Sequence, residues 1–378
     1  MSASNLTNKA ENYSDSIRIS LLTCSPHDEI YSLYGHTAIR YEDPAKGIDV
    51  AINYGVFSFH QPYFVLRFVF GITDYQIGIE EFSDFRNEYK SYGSSVIQQT
   101  LNLSSEEKTR FLEALTENCT EENRTYRYNY FYNNCTTKAR DLLISSISGK
   151  VIYKNRIDGS CSFRKMIHSC NESHRWARFG NDMLLGINAD RNTSREDQQF
   201  LPVNLLRDFS SAYIINSNGT TRPLVYKTKK IIDTSNSECN ENAFTPTFVS
   251  IAFFFLVVLM CITELITRKR FGIFDTIIQI ALGCIGVLLF IMIFSEHPAT
   301  SINLQILLFN PIFIYIAFSN IRNRNTKSRL KINYLISSVF TTCAILGSFM
   351  QAYAEGITIL ASCLLFRYLI NYIRLSKE

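Results

Sequence analysis

Apolar positions are spread unevenly along the 378 residues, and the pattern changes character near residue 246. Beyond that point, apolar runs at 247–267, 274–294, 304–320, 332–352 and 356–374 are separated by short polar loops. These lengths approach the roughly 20 residues that a helix needs to cross a hydrocarbon core. The third run is short and carries Asn310-Pro311. Before residue 246, apolar and polar residues alternate at 17–23, 37–41 and 48–54, the period of half-buried strands. Asp43-Pro44-Ala45-Lys46-Gly47 reads as the turn that folds the second and third strands into a hairpin. Shorter strands are predicted at 75–79 and 95–101. Ser104 with Glu107 forms a capping-box signature for a helix through about 117, with Phe111, Leu112 and Leu115 on its apolar face. A second helix is predicted to open at Asn133-Asn134-Cys135, because Asn caps well and Ala139, Leu142, Leu143 and Ile147 follow at helical spacing.

The expected architecture is an α+β domain over 17–215 followed by an all-α transmembrane domain of five helices over 247–378. A polar, disordered lead-in over 1–16 precedes them, and a polar linker over 216–246 joins them, with Lys227, Lys229 and Lys230 placed near lipid headgroups.

Charge decides the orientation. The net charge is only +4, but the basic residues cluster beside apolar runs rather than on a patch suited to nucleic acid. Arg268, Lys269 and Arg270 follow the first span, and Arg322, Arg324, Lys327, Arg329 and Lys331 follow the third. Loops 295–303 and 353–356 carry no Lys or Arg. Basic loops stay cytoplasmic, so the chain is read as a multi-pass protein of the cytoplasmic (inner) membrane with a cytoplasmic C-terminus and an extracytoplasmic N-terminal domain. The reverse topology strands both basic loops outside. Export normally uses an apolar leader, which residues 1–16 lack, so the expectation is that a signal peptide was removed.

The candidate chemistry lies in the N-terminal domain. A thiol in the first turn of a helix, as expected of Cys135, sees unpaired amide donors and the positive end of the helix dipole, which favour thiolate. It needs a base, and His is suited to that near neutral pH. Of His27, His36, His60, His168 and His174, the strongest candidate is His36, because Tyr34-Gly35-His36 opens a predicted strand that can hold an imidazole rigidly. Cys261, Cys284, Cys343 and Cys363 fall in apolar runs and read as packing. Cys161 and Cys170 are close enough in sequence to form a disulfide in an exported domain, whereas Cys24, Cys119 and Cys239 have no assigned role. No metal-site spacing occurs, and no cofactor is expected.

The order of a strand His, a polar residue on the next strand and Asn-Cys opening a later helix resembles the circularly permuted papain-like enzymes, including the lecithin:retinol acyltransferase-like branch. The pieces are Tyr34-Gly35-His36-Thr37-Ala38 and Asn133-Asn134-Cys135-Thr136-Thr137. A fuller set resembles the bacterial lipoprotein N-acyltransferase family called Lnb: Leu21-Leu22-Thr23-Cys24-Ser25-Pro26, Tyr31-Ser32-Leu33-Tyr34-Gly35-His36, Asn53-Tyr54-Gly55, Tyr128-Asn129-Tyr130-Phe131-Tyr132-Asn133-Asn134-Cys135, Glu296-His297-Pro298 and Asn310-Pro311. The likeness runs over nearly the whole chain. It implies a permuted papain-like thiol domain in which His36 and Cys135 are catalytic.

Asn53 is the choice for the group that orients the imidazole, because the hairpin brings residues near 53 opposite His36; Tyr54 is the competitor, or a core aromatic. The Cys135 amide and the Tyr34 hydroxyl are the expected oxyanion donors. Asn134 is read as a site residue or simply as the helix cap, and His297 as a headgroup contact or a helix-end residue. The run Phe57, Phe59, Tyr63, Phe64, Leu66, Phe68, Val69 and Phe70 is either an interfacial guide for an acyl chain or a buried core helix.

The implied reaction moves an acyl chain from a phospholipid, through a thioester, to the α-amine of a diacylglyceryl-modified apolipoprotein. A membrane-anchored thiol peptidase or amidase of the cell wall is the alternative, and a noncatalytic lipid- or peptide-binding scaffold is a third reading.

Overall fold

A computed structural model describes residues 16–27, 29, 32–57, 62–234, 244–323 and 325–377. Most of the lead-in, together with His60, Phe59, Cys239 and Arg324, lies outside the described residues. The strands are β1 (Arg18–Cys24), β2 (His36–Asp43), β3 (Ile48–Val56), β4 (Asp74–Glu81), β5 (Val96–Leu101), β6 (Thr125–Arg127), β7 (Lys150–Tyr153), β8 (Ala212–Ile215), β9 (Thr221–Pro223) and β10 (Val225–Ile232). The first helices are α1 (Phe64–Val69), α2 (Phe82–Ser91), α3 (Ser105–Asn118), α4 (Cys135–Ser145), α5 (Phe163–Cys170), α6 (Arg175–Leu184), α7 (Arg195–Gln198) and α8 (Pro202–Ser211). Five more follow: α9 (Pro246–Thr267), α10 (Gly272–Met292), α11 (Ile312–Arg322), α12 (Lys327–Gly347) and α13 (Ile357–Lys377).

The chain divides into two compact units, one formed by residues up to Met166 with Asn192–Glu238, the other by Ile167–Arg191 with Cys239–Glu378. The first unit is built on a seven-stranded antiparallel sheet, ordered β10-β5-β1-β2-β3-β4-β6, and β7, β8 and β9 make a second, three-stranded sheet. The strand period sorts side chains between its faces. Leu21, Ile39, Tyr41, Val50 and Ile52 pack with Phe111 and Leu115 of α3, Ala139 and Leu143 of α4, and Leu205 and Phe209 of α8. On the other face Leu22, Ala38 and Ala51 meet Phe82 and Phe85 of α2. The predicted capping box is present: Ser104 Oγ accepts from the Glu107 amide, and the Glu107 carboxylate accepts from the Ser104 amide. That carboxylate also binds Arg222 at 2.6 Å.

Residues 216–246 differ from the expected linker, because 221–223 and 225–232 are strands and β10 pairs with β5 at the sheet edge. Lys227, Lys229 and Lys230 read as linker or headgroup residues, yet they lie on an edge strand, where lysine discourages pairing with another chain. Cys161 and Cys170 are free thiols rather than a disulfide.

The second unit contains five helices long and apolar enough to cross a membrane: Pro246–Thr267, Gly272–Met292, Leu304–Arg322, Lys327–Gly347 and Ile357–Lys377. The third opens with a 3-10 turn over Leu304–Leu307 and restarts after Pro311, where the Ile312 amide donates to Asn310 Oδ1 at 3.0 Å. Proline supplies no amide to continue the ladder.

Residues 167–191, expected in the soluble domain, belong to this unit. Arg175 and Arg178 reach Glu355 at 3.1 Å each, and buried side-chain amides take backbone carbonyls at the C-terminal end of α6. Gln305 Nε2 donates to Asp182 O at 2.8 Å, Asn303 Nδ2 to Met183 O at 2.8 Å and Gln351 Nε2 to Leu185 O at 3.1 Å. A short amphipathic helix has the same sequence pattern whichever core it covers.

Four spans meet at a buried charge cluster. Arg367 of α13 donates to Glu264 of α9 at 2.6 and 2.9 Å and to Asp275 of α10 at 2.8 and 3.2 Å. Asp275 also accepts from Tyr334 of α12 at 2.8 Å and from Asn371 at 3.0 Å. Such groups are tolerated among spanning helices only when they satisfy one another. Replacing Arg367 with Met leaves two carboxylates uncompensated and is expected to cost about 3–5 kcal/mol. Thermal denaturation of the detergent-solubilised variant checks this, and an unchanged midpoint would show that the cluster does not hold the helices together.

Candidate active site

The loop before α4 places Cys135. Asn133 Nδ2 donates to Arg127 O at 2.7 Å, and Asn129 and Asn133 exchange backbone hydrogen bonds at 3.1 and 2.9 Å. Asn134 then caps the helix: its Oδ1 accepts from the Thr136 and Thr137 amides at 2.9 Å each, and its Nδ2 donates to Tyr130 O and Phe200 O at 2.9 and 3.0 Å. Both ends of the Asn134 side chain are committed to fixing the helix start, which identifies it as the cap. Cys135 is the first helical residue, and the cap takes the amides of Thr136 and Thr137 rather than that of Cys135. An amide at that position has no intrahelical acceptor.

His36 opens β2 after a turn that requires glycine. Gly35 has φ +74°, and a Cβ there would lie 2.6 Å from the Cys24 carbonyl oxygen. The β2 to β3 register pairs Ala38 with Asn53, so Asn53 sits on the same face as His36 and diagonal to it. His36 Nε2 and Asn53 Oδ1 are 3.0 Å apart, and the His36 ring and the Cys135 thiol are near enough for each to shift the ionisation of the other. Thr37 Oγ1 and Thr136 Oγ1, 3.1 Å apart, tie the strand to the start of α4. Just past Asn53, Gly55 has φ +91° at an irregularity in the β3 to β4 pairing. A Cβ on Gly55 would stand 3.8 Å from Cys135 Cβ, 3.9 Å from Tyr126 Oη and 4.0 Å from the Tyr128 ring.

The electrostatics favour a reactive thiol. Burial pushes the Cys135 pKa up, but the His36 charge and hydrogen bond, the Thr37 amide and the Thr136 hydroxyl outweigh it and lower the value to about 7. Burial pushes His36 down, and the Cys135 thiolate, the Asn53 Oδ1 that accepts from the ring and the nearby Glu80 together leave it raised. Each partner thus stabilises the ionised form of the other.

The other predicted residues have the following surroundings. Tyr54 points into the core, with its hydroxyl accepting from Asn118 Nδ2 at 2.9 Å, so the competitor for the orienting role is a packing residue. The half-buried Tyr34 ring packs edge-on against Tyr130 at 5.2 Å. His297 belongs to the second unit, where its carbonyl accepts from Thr300 Oγ1 at 2.9 Å. The reading of the aromatic run as a buried core helix fails, since Tyr63 is 79% exposed, Leu66 54% and Phe68 48%.

Two contributors were not read from the sequence. Glu80 of β4 accepts a short hydrogen bond from Asn53 Nδ2, and the Tyr89 ring of α2 stacks on His36 at 6.2 Å. Glu80 shares the polar side of its strand's alternation with Asp74 and Gln76, so nothing local marked it.

With a pKa near 7, Cys135 should react with iodoacetamide with a midpoint near that pH, the rate rising as pH rises through it and the thiol ionises. Removing the imidazole in His36→Ala should move the midpoint up toward the ordinary thiol value of about 8.5. Mass spectrometry of the Cys135 peptide across pH reads both outcomes, and an unchanged midpoint in the variant would dissociate the two groups.

Two family models match the chain: the Lnb N-terminal periplasmic domain over residues 5–158 and the Lnb transmembrane domain over residues 238–378. No curated protein and no solved structure gives a significant match. The chain belongs to the Lnb family, and carries that family's periplasmic domain followed by its transmembrane domain.

Proposed function

We propose that this protein is a lipoprotein N-acyltransferase that moves an acyl chain from a phospholipid, through a thioester on Cys135, to the α-amine of a diacylglyceryl-modified N-terminal cysteine. The observation that carries the reading is the electrostatically coupled Cys135 and His36 pair, its thiol pKa lowered to about 7, in a chain whose described residues include five helices long and apolar enough to span a membrane.

Asn53 Oδ1 can only accept, so the His36 Nε2 facing it carries a proton, and Nδ1 is left to act as the base. Nδ1 takes the thiol proton, and the sulfur attacks the ester carbonyl carbon. The resulting oxyanion meets the Cys135 amide, with the Tyr34 hydroxyl as a second donor. Collapse breaks the acyl C–O bond, the imidazolium returns its proton to the departing lysophospholipid oxygen, and a thioester remains. The neutral α-amine then attacks that thioester, His36 removes its excess proton, and breakage of the C–S bond restores Cys135 and yields the amide. The thioester separates the two half-reactions. Donor and acceptor are both anchored in a bilayer, so an enzyme tethered there gains from proximity. Under this reading the basic loops at Arg268 to Arg270 and after Asn320 face the cytoplasm with the C-terminus, and the periplasmic domain meets both substrates in the outer leaflet.

Cys135→Ala and His36→Ala should each abolish transfer from labelled phospholipid to an apolipoprotein peptide while leaving the protein folded and inserted. Asn53→Ala should keep a fraction, with a loss of about 10–100-fold for a group that orients rather than reacts. Reconstituted protein, assayed for label on Cys135 and for a mass increase of the peptide, tests each step. Full activity of Cys135→Ala would exclude the covalent route, and cleavage of cell-wall peptide without thioester formation from lipid would replace this reading with a peptidase.

A further inference from the structure

Asn53 can serve His36 in only one of its two amide orientations. With Oδ1 toward the ring, as observed at 3.0 Å, the His36 proton sits on Nε2 and Nδ1 is free to accept. With the amide turned over, Nδ2 would donate to Nε2, and a neutral ring would carry its proton on Nδ1. With Nε2 already bonded to Asn53, neither ring nitrogen would then be left to take the thiol proton. The two amide ends have nearly the same shape, so packing does not choose between them; a hydrogen-bond partner must.

We propose that Glu80 is that partner, a positioning residue that selects the Asn53 orientation and through it the catalytically competent His36 tautomer. Glu80 lies on β4, adjacent to β3, where Ala51 pairs with Glu80 and Asn53 with Gly78. Its carboxyl oxygen accepts from Asn53 Nδ2, which leaves Oδ1 to face the imidazole. A carboxylate cannot donate, so the inverted amide would set Oδ1 against a second acceptor. Burial, with Glu88 and Asp84 of α2 alongside, raises the Glu80 pKa, while Asn53 and His36 act the other way. The relay therefore runs Glu80, Asn53, His36, Cys135, and only its last two members move protons. The inference rests on the proposed acyl transfer for its kinetic readout, but not for its chemical one.

The test uses the full-length reconstituted protein and the variants Glu80→Gln, whose amide offers an acceptor at the same reach in only one of its two orientations, and Glu80→Ala and Glu80→Met, which offer none. Methionine preserves volume should alanine impair folding. Without an acceptor, kcat for thioester formation from phospholipid should fall about 10–100-fold with KM unchanged. The pH midpoint of Cys135 alkylation should rise by about one unit, a tenfold loss of thiolate at a given pH below it. Glu80→Gln, which can accept from Asn53 Nδ2 but can also donate to Asn53 Oδ1, should recover part of both. Wild-type kcat and alkylation profile in Glu80→Met would overturn the assignment, as would a raised KM with kcat unchanged. Wild-type protein that transfers no acyl group, but whose alkylation midpoint rises in Glu80→Met and partly returns in Glu80→Gln, would remove the acyltransferase reading and leave the relay standing.

Discussion

The electrostatic pairing of the His36 imidazole with the Cys135 thiol is the interaction on which the chemistry depends, and neither residue can make it alone. A buried thiol is pushed toward its neutral form and a buried imidazole likewise, so isolating either group would lower its reactivity. Placed together, each offsets the desolvation of the other, and the Thr37 amide and Thr136 hydroxyl add to the effect on sulfur. The scaffold's contribution is positional: an N-cap asparagine bonded at both ends sets the helix start, and a glycine packed on the Cys24 carbonyl sets the strand start.

Polar groups do different work in the two units. In the first, the buried Glu107 carboxylate completes a helix capping box and also binds Arg222. In the second, they sit among spanning helices, where no water is at hand to satisfy a donor or acceptor. Arg367 answers that constraint by dividing its guanidinium between Glu264 and Asp275. Gln305, Asn303 and Gln351 answer it by covering the carbonyls of Asp182, Met183 and Leu185, which makes the end of α6 part of the membrane unit.

Much of this was readable beforehand because it is local. Strands β1 to β5 follow the alternation of their residues, α3 and α4 follow their caps, and the spans begin or end within a few residues of their apolar runs. Placing Asn53 near His36 needed only the hairpin register. The misread segments share a different cause. Val225 to Ile232 is too polar to announce a strand, because an edge strand buries little and its lysines deter further pairing. Residues 167–191 have an amphipathic pattern that does not name the surface it covers.

By itself, then, the sequence determined what short-range physics controls: the strand and helix periods, the caps, the apolar spans, and a cysteine at a helix N-terminus. The tertiary structure alone decided which distant groups meet: Glu80 at the Asn53 amide, the Cys135 thiol at the His36 ring, β10 beside β5, and Arg367 between two carboxylates. The reason is that periodicity and capping are properties of neighbouring residues. Long-range pairing depends instead on register and on which buried polar groups require a partner, and neither is written in any local stretch of chain.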